Sequence, residues 1–238
     1  MTGVIFFNPI FGRNSIPVIV KIGLSLGIAL NVTYGLTGVF VADYTTIDLL
    51  VSVTKEFAVG FAMGFIMQLF LSVFHIGGEL MDLQLGFSMA QMYDPSSNSQ
   101  ISVTGNLVTI MYTLLFFITN SHLSLLAIAI KSFNVIPIGL GGVSSKVGVF
   151  VIELFGYILV YAVQLALPII VVEILVEVAV GILMKVVPNI NVFVVNMQIK
   201  LMVGLIVLLT IIPVLVQFLG KMNAIMLDRM EAVLMYFM

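Results

Sequence analysis

Long apolar stretches separated by short polar connections dominate this sequence. Four stretches carry no Asp, Glu, Lys or Arg, and each is close to or above the roughly 20 residues with which a helix spans a hydrocarbon core. These stretches are residues 22–42, 57–78, 154–172 and 201–220. A fifth stretch, residues 95–130, is polar at its start and apolar from Leu107 onward. The pattern predicts an all-α, polytopic membrane protein of long, kinked helices and helical hairpins.

Proline, glycine and short polar residues set the predicted bounds of these helices. The predicted helices cover residues 17–36, 52–78, 106–130, 147–187 and 196–220, and an amphipathic tail covers residues 221–238. Gly77 and Gly78 should loosen the second helix. Polar residues at 119–122 predict a hairpin or a broken helix. Pro168 has only apolar neighbours, which favours a kink over a chain reversal.

The helix predicted over residues 147–187 is too long for one bilayer. It would measure about 60 Å, whereas the hydrocarbon core is about 30 Å thick. The lysines and arginines also show no alternation between successive connections that would orient the chain. We therefore expect some apolar stretches to form hairpins or to lie buried in protein rather than to cross lipid.

Composition supports the membrane class and argues against several functions. The chain is 61% hydrophobic and 8% charged, with a formal net charge of −2 and no cysteine. Disulfides and thiolate metal sites are thereby excluded, and the near-zero net charge points to no nucleic-acid partner. No Ser-His-Asp order, Gly-rich phosphate loop or HExxH run occurs. We predict a protein that is not an enzyme and has no cofactor.

The segment 75–95 is the most polar part of this apolar chain. His75 and Glu79 lie at i and i+4, with Asp82 three residues further on, so they share a helical face. A metal site would normally need a second histidine. The pattern therefore favours a solvated or intersubunit polar patch over a metal site.

Three methionines and two aromatic residues surround Gly86 in the same segment. They are Met81, Phe87, Met89, Met92 and Tyr93. Methionine is flexible and fills irregular gaps, so this cluster can form a deformable apolar surface. Ordinary core packing is the alternative interpretation.

Two carboxylates, Glu173 and Glu177, lie one turn apart inside an apolar helix. Carboxylates at membrane depth are costly, so they mark proton relays or ion pairs. Pairing with Lys185, with Lys200 or with a neighbouring subunit is the favoured interpretation. A proton-coupled transporter is the functional alternative.

Two pairs of glycines spaced four residues apart can bring helix backbones close together. One pair is Gly23 and Gly27, and the other is Gly60 and Gly64. The second pair is a candidate helix-packing site.

An ordered set of motifs resembles the flagellar biosynthetic FliR family and its injectisome counterpart, the R (T) subunit of the type III export gate. The motifs are Pro9-Ile-Phe-Gly-Arg13, Gly60-x-x-x-Gly64, Gly77-Gly-Glu-x-x-Asp-x-Gln-x-Gly-Phe-Ser-Met-Ala90, Asp94-Pro95, Asn120-Ser-His122 and Pro188-x-Ile-Asn-Val-Phe193. They span almost the whole chain in the family's order.

The resemblance implies a non-enzymatic subunit of a pore that passes unfolded export substrates through the bacterial inner membrane at the flagellar basal body. It implies P-type and Q-type subunits as partners, together with the B-type switch subunit and the large export-gate subunit. Residues 1–146 would be a P-like helical portion with a plug loop at 85–95. Residues 147–238 would be a Q-like long helical hairpin with an amphipathic tail.

The resemblance also implies roles for single residues of the plug loop. Plug or gate residues would be Gly86, Phe87, Met89, Met92 and Tyr93. Residues anchoring the plug would be Glu79, Asp82, Asp94 and Pro95. The family carries a further apolar helix before Pro9, so we expect either that the natural start lies upstream of Met1 or that this protein lacks the helix.

Overall fold

The computed structural model describes residues 2–35, 45–87, 102–136, 142, 144, 146–186 and 192–237. These residues form seven α-helices and no strand. In chain order the helices are α1 (Thr2–Phe6), α2 (Val18–Gly35), α3 (Thr46–Leu85), α4 (Val103–Ile118), α5 (Ser121–Val135), α6 (Lys146–Val186) and α7 (Val192–Leu234). The predicted all-α class is confirmed.

Helix α3 is longer at both ends than predicted. It begins at Thr46 because Thr45 and Asp48 form a capping pair, in which each side chain accepts a hydrogen bond from the backbone N–H of the other. At its other end it runs through Gly77 and Gly78 to Leu85. The expected loosening at these glycines is wrong. Because neither glycine has a Cβ, other helices pack closely against both of them.

The apolar stretch after Ser102 is a broken helix, one of the two predicted forms. Helices α4 and α5 are separated by Thr119 and Asn120, and the chain bends by 70° there. Asn120 has a left-handed backbone with φ of 56°, a conformation that asparagine tolerates better than most residues.

Helices α6 and α7 contain 41 and 43 residues. Pro168 lies inside α6, so the expectation that it does not reverse the chain is confirmed. The predicted separation of a tail after residue 220 is wrong, since α7 continues through Gly220 to Leu234. Residues 221–234 contain no proline, and Met222, Met226 and Met230 are buried at helical spacing.

The chain divides into two compact units, each assembled from separate segments. The first comprises Met1–Leu71, Phe116–Phe155 and Met222–Met238, and the second comprises Ser72–Leu115 and Gly156–Lys221. Because four helices, α3, α4, α6 and α7, contribute residues to both units, the units are not successive along the chain.

In the first unit, the short helix α1 packs on the first half of α3. The Phe7 ring meets the Phe61 ring edge-on, with centroids 4.8 Å apart. Asn8 donates a hydrogen bond from Nδ2 to the sulfur of Met67 at 3.1 Å. Elsewhere in this unit Asn223 donates to Ser121 Oγ at 2.7 Å, which holds the end of α7 to the start of α5.

In the part of the chain that the structure describes, three helices are long and apolar enough to cross a membrane, and the bent α4–α5 pair makes a fourth candidate. In its most apolar stretch α3 is 61% buried within the chain, whereas α6 is 17% and α7 11% buried. The apolar faces of α6 and α7 therefore lie open to lipid or to other proteins.

Candidate functional site

The two ends of the segment between α3 and α4 are joined through the carboxylate of Asp82. Ser102 donates a hydrogen bond from Oγ to Asp82 Oδ2 at 2.7 Å, and the backbone N–H of Thr104 donates to Oδ1 at 3.1 Å. The Thr104 hydroxyl donates a further bond to Oδ1. All three residues are buried. We call Asp82, Ser102 and Thr104 the loop clamp.

The loop clamp is also the N-terminal cap of α4. Ser102 precedes the first helical residue, and its Oγ accepts a hydrogen bond from the N–H of Gly105 at 2.8 Å. Asp82 adds a negative charge at the same helix end, where the free N–H groups and the helix dipole favour an anion. A charged acceptor therefore fixes the start of α4 from the last turn of α3.

Two glycines let α3 and α4 approach closely enough for these bonds. A Cβ placed on Gly78 would lie 2.1 Å from Cα and 2.2 Å from N of Gly105. Gly77, on the neighbouring face, lies against α6, where a Cβ would meet the Ala162 carbonyl oxygen at 3.0 Å. No side chain larger than hydrogen fits at Gly78 without backbone movement.

Helix α3 ends at the glycine that was predicted to belong to the plug. Gly86 has φ of +81°, a left-handed conformation that ends helices and suits glycine. The structure describes the chain as far as Phe87, which is half-buried. The other plug and anchoring candidates, Met89, Met92, Tyr93, Asp94 and Pro95, lie outside the described residues.

The three residues that were candidates for a polar patch or a metal site differ in their surroundings. His75 and Glu79 are exposed, whereas Asp82 is buried with both oxygens bound at the start of α4. In the described ranges no group of three His, Cys, Asp or Glu side chains could hold a metal ion. Asp82 therefore serves the clamp, while His75 and Glu79 lie on the surface of this chain.

The two glycine pairs singled out in the sequence have different environments. A Cβ on Gly60 would lie 3.0 Å from the Val4 nitrogen, and one on Gly64 would lie 2.9 Å from Phe7 Cβ. Both glycines thus face α1 or the residue after it. Apart from the backbone of α2 itself, no described atom lies within 4 Å of a Cβ placed on Gly23 or Gly27.

Ser102 and Thr104 are the site residues that the sequence reasoning missed. Both precede the helix predicted over residues 106–130, although a serine directly before an apolar helical stretch is an N-cap signal. That signal indicates a cap at Ser102 but carries no information about a partner 20 residues earlier in the chain.

The fold and the site define a polytopic membrane protein. Its long helices have open apolar faces, and a buried polar clamp joins the two ends of the segment between α3 and α4. The family model for bacterial export proteins, family 1, matches residues 1–225 of 238. The chain belongs to this family, and it is therefore a bacterial membrane protein of an export apparatus.

Several relatives of known name are similar over most of the chain. The flagellar biosynthetic protein FliR of Escherichia coli (strain K12) is 28% identical over 210 residues, covering 88% of this chain and 80% of that protein. FliR of Bacillus subtilis (strain 168) is 26% identical over 239 residues, covering 95% and 88%. The Yop proteins translocation protein T of Yersinia pestis is 28% identical over 185 residues, covering 77% and 71%. The resemblance to the FliR family is confirmed.

Proposed function

We propose that this chain is a structural and gating subunit, without catalytic activity, of the flagellar or type III protein export gate. Together with P-type and Q-type subunits it forms a pore in the bacterial cell membrane that passes unfolded export substrates. The segment 85–95 plugs this pore at rest, with Met89 and Met92 as the sealing side chains.

The loop clamp is the observation that supports the plug most directly. A plug must stay at one place in the pore while its tip yields to a substrate. Asp82, on the near side of the segment, bonds to Ser102 and Thr104 on its far side, so both ends start from one fixed point. Buried, charge-assisted hydrogen bonds of this kind are among the stronger ones in proteins.

The open apolar faces of α6 and α7 support the proposed partners. Both helices would measure more than 60 Å, about twice the thickness of a hydrocarbon core. Lipid alone cannot cover such a length, so other helices must cover part of it. This agrees with the proposed Q-like hairpin over residues 147–238, beside a P-like portion over residues 1–146 and contacts with the B-type and large export-gate subunits.

Substitution of the sealing methionines tests the plug. Met89→Ala and Met92→Ala each remove the bulk of one side chain, and we expect the double variant to raise ion conductance of the assembled gate in planar bilayers. The control is Met235→Ala, which shortens a methionine that is 66% exposed and far along the chain from the plug. Conductance of the double variant equal to that of the control would refute the plug assignment.

A further inference from the structure

Glu173 is the most completely buried charged residue in the described part of the chain. It has 0% exposure, and neither carboxylate oxygen has a hydrogen-bond partner among the described residues. It lies in a stripe of buried residues along α6. The other members of this stripe are Ile158, Ala162, Leu165 and Ile169.

Three helices meet at the Glu173 carboxylate. A Cβ placed on Gly204 of α7 would lie 2.7 Å from Glu173 Oε1 and 1.9 Å from Leu85 Cδ2. Gly204 thus provides the space that the carboxylate and the leucine occupy. Leu85 is the last residue of α3 and directly precedes Gly86, where the proposed plug leaves the helix.

The charged groups around Glu173 are already paired with each other. Lys200 lies one turn before Gly204 on α7, and its ammonium group forms an ion pair with Glu177, one turn after Glu173 on α6. From α3 the group that faces the carboxylate is the apolar Leu85. Lys200 and Glu177 are the charges that act on Glu173 electrostatically, and neither forms a hydrogen bond with it.

An ionised carboxylate in this position would be very unfavourable. Burying a charge that has no hydrogen bond and no ion pair of its own costs several kcal/mol, which favours uptake of a proton. A cationic side chain of another subunit cannot reach a carboxylate with 0% exposure unless the helices separate. Since the carboxylate has no hydrogen-bond partner among the described residues, a bound proton is the group that neutralises it.

We propose that Glu173 is a proton-binding site whose protonation is coupled to the position of Leu85 at the end of α3. With the proton bound, the neutral carboxyl group packs beside Leu85, and the observed arrangement of α3, α6 and α7 around Gly204 is stable. Loss of the proton produces a carboxylate that is stable only when Leu85 moves away. Water can then reach the carboxylate, or Lys200 can leave Glu177 and form an ion pair with Glu173. The proton passes to water in this step, and no other reactant is needed.

Infrared spectroscopy of the purified chain in detergent tests proton binding without reference to gating. We expect a protonated carboxyl band at neutral pH that is lost in Glu173→Gln and retained in Glu153→Gln, which changes an exposed carboxylate on the same helix. Glu173→Leu, which is apolar and of similar size, should also lack the band and still fold. Absence of the band in the unmodified protein, or its persistence in Glu173→Gln, would overturn the proposal.

Conductance of the assembled gate as a function of pH tests the coupling, which rests on the proposed plug. One proton linked to closure allows the ratio of open to closed gates to rise up to about tenfold per pH unit. We expect this rise in the unmodified gate and in Glu153→Gln, and a low, pH-independent leak in Glu173→Gln. A leak in Glu173→Gln that keeps its pH dependence contradicts the coupling. Failure of the plug itself is recognised separately, from unchanged conductance in the Met89 and Met92 variants.

Discussion

The contact between Gly78 and Gly105 predicts that Gly78→Ala severely destabilises the protein. The new Cβ would lie 2.1 Å from Cα and 2.2 Å from N of Gly105, whereas carbon atoms in contact are about 3.5–4.0 Å apart. Both neighbouring atoms belong to the backbone, so no side-chain rotation relieves the clash. Helices α3 and α4 must separate locally by about 1.5 Å.

That separation also breaks the loop clamp. Hydrogen bonds of 2.7 and 3.1 Å from Ser102 and Thr104 to Asp82 would lengthen beyond the useful range. Forcing extra volume into a packed interior costs about 1–3 kcal/mol, and leaving buried polar groups without partners costs about 1–3 kcal/mol more. The free energy of unfolding should therefore fall by about 2–6 kcal/mol.

The assay is unfolding of the purified chain in mixed micelles, followed by circular dichroism as denaturing detergent is added. The matched control is Gly156→Ala in α6, where the new Cβ has no described atom of another helix within 4 Å. Alanine favours helix over glycine by about 0.5–1 kcal/mol, so this control should be slightly more stable than the unmodified chain. Equal stability of the two variants would show that α3 and α4 do not cross at Gly78.

Two further substitutions address the clamp and the packing of α1. Asp82→Asn removes the charge and one acceptor, so it should lower the free energy of unfolding by about 1–3 kcal/mol and raise the resting conductance of the assembled gate. A destabilised variant with normal conductance would show that the loop clamp does not support the plug. Gly60→Ala places a Cβ 3.0 Å from the Val4 nitrogen and should cost about 1–3 kcal/mol. Gly23→Ala meets no described atom of another segment within 4 Å, so it should be neutral or stabilising in the same unfolding assay, and equal losses in the two variants would contradict the α1–α3 contact.

Local signals in the sequence predicted some helices almost to the residue. Helix α2 was expected over residues 17–36 and extends over Val18–Gly35, because Pro17 marks its first turn. The break at Asn120 was expected because short polar side chains stand inside an apolar stretch. Each of these features depends on chemistry within a few residues of the chain.

Features that depend on packing between distant segments could not be predicted in this way. The penalty for glycine in a helix is about 1 kcal/mol per residue, which suggested that α3 would loosen at Gly77 and Gly78. Contacts with Gly105 and with Leu165 outweigh that penalty, and the sequence identifies neither partner. The pairing of Asp82 with Ser102 is hidden for the same reason, although both residues carry the chemistry that the bond requires.

The last two turns of α3 combine all of these contacts on one helical face. Gly78, Asp82 and Leu85 lie at i, i+4 and i+7, which places them in line along the helix. The first contacts the backbone of α4, the second caps α4, and the third lies against Gly204 and Glu173. Any rotation or translation of this part of α3 would disturb all three contacts at once, so their costs add and oppose movement of the helix.

The loop clamp joins the two described ends of the segment between α3 and α4. Residues 87–101, about 15 residues, could extend to roughly 50 Å, while Ser102 and Thr104 stay bound to Asp82. For the proposed plug, this means that a substrate can displace the methionine-bearing tip without breaking the clamp or moving α4. In the proposed proton coupling, Leu85 is the described residue that links this segment to Glu173, since both side chains occupy the space beside Gly204.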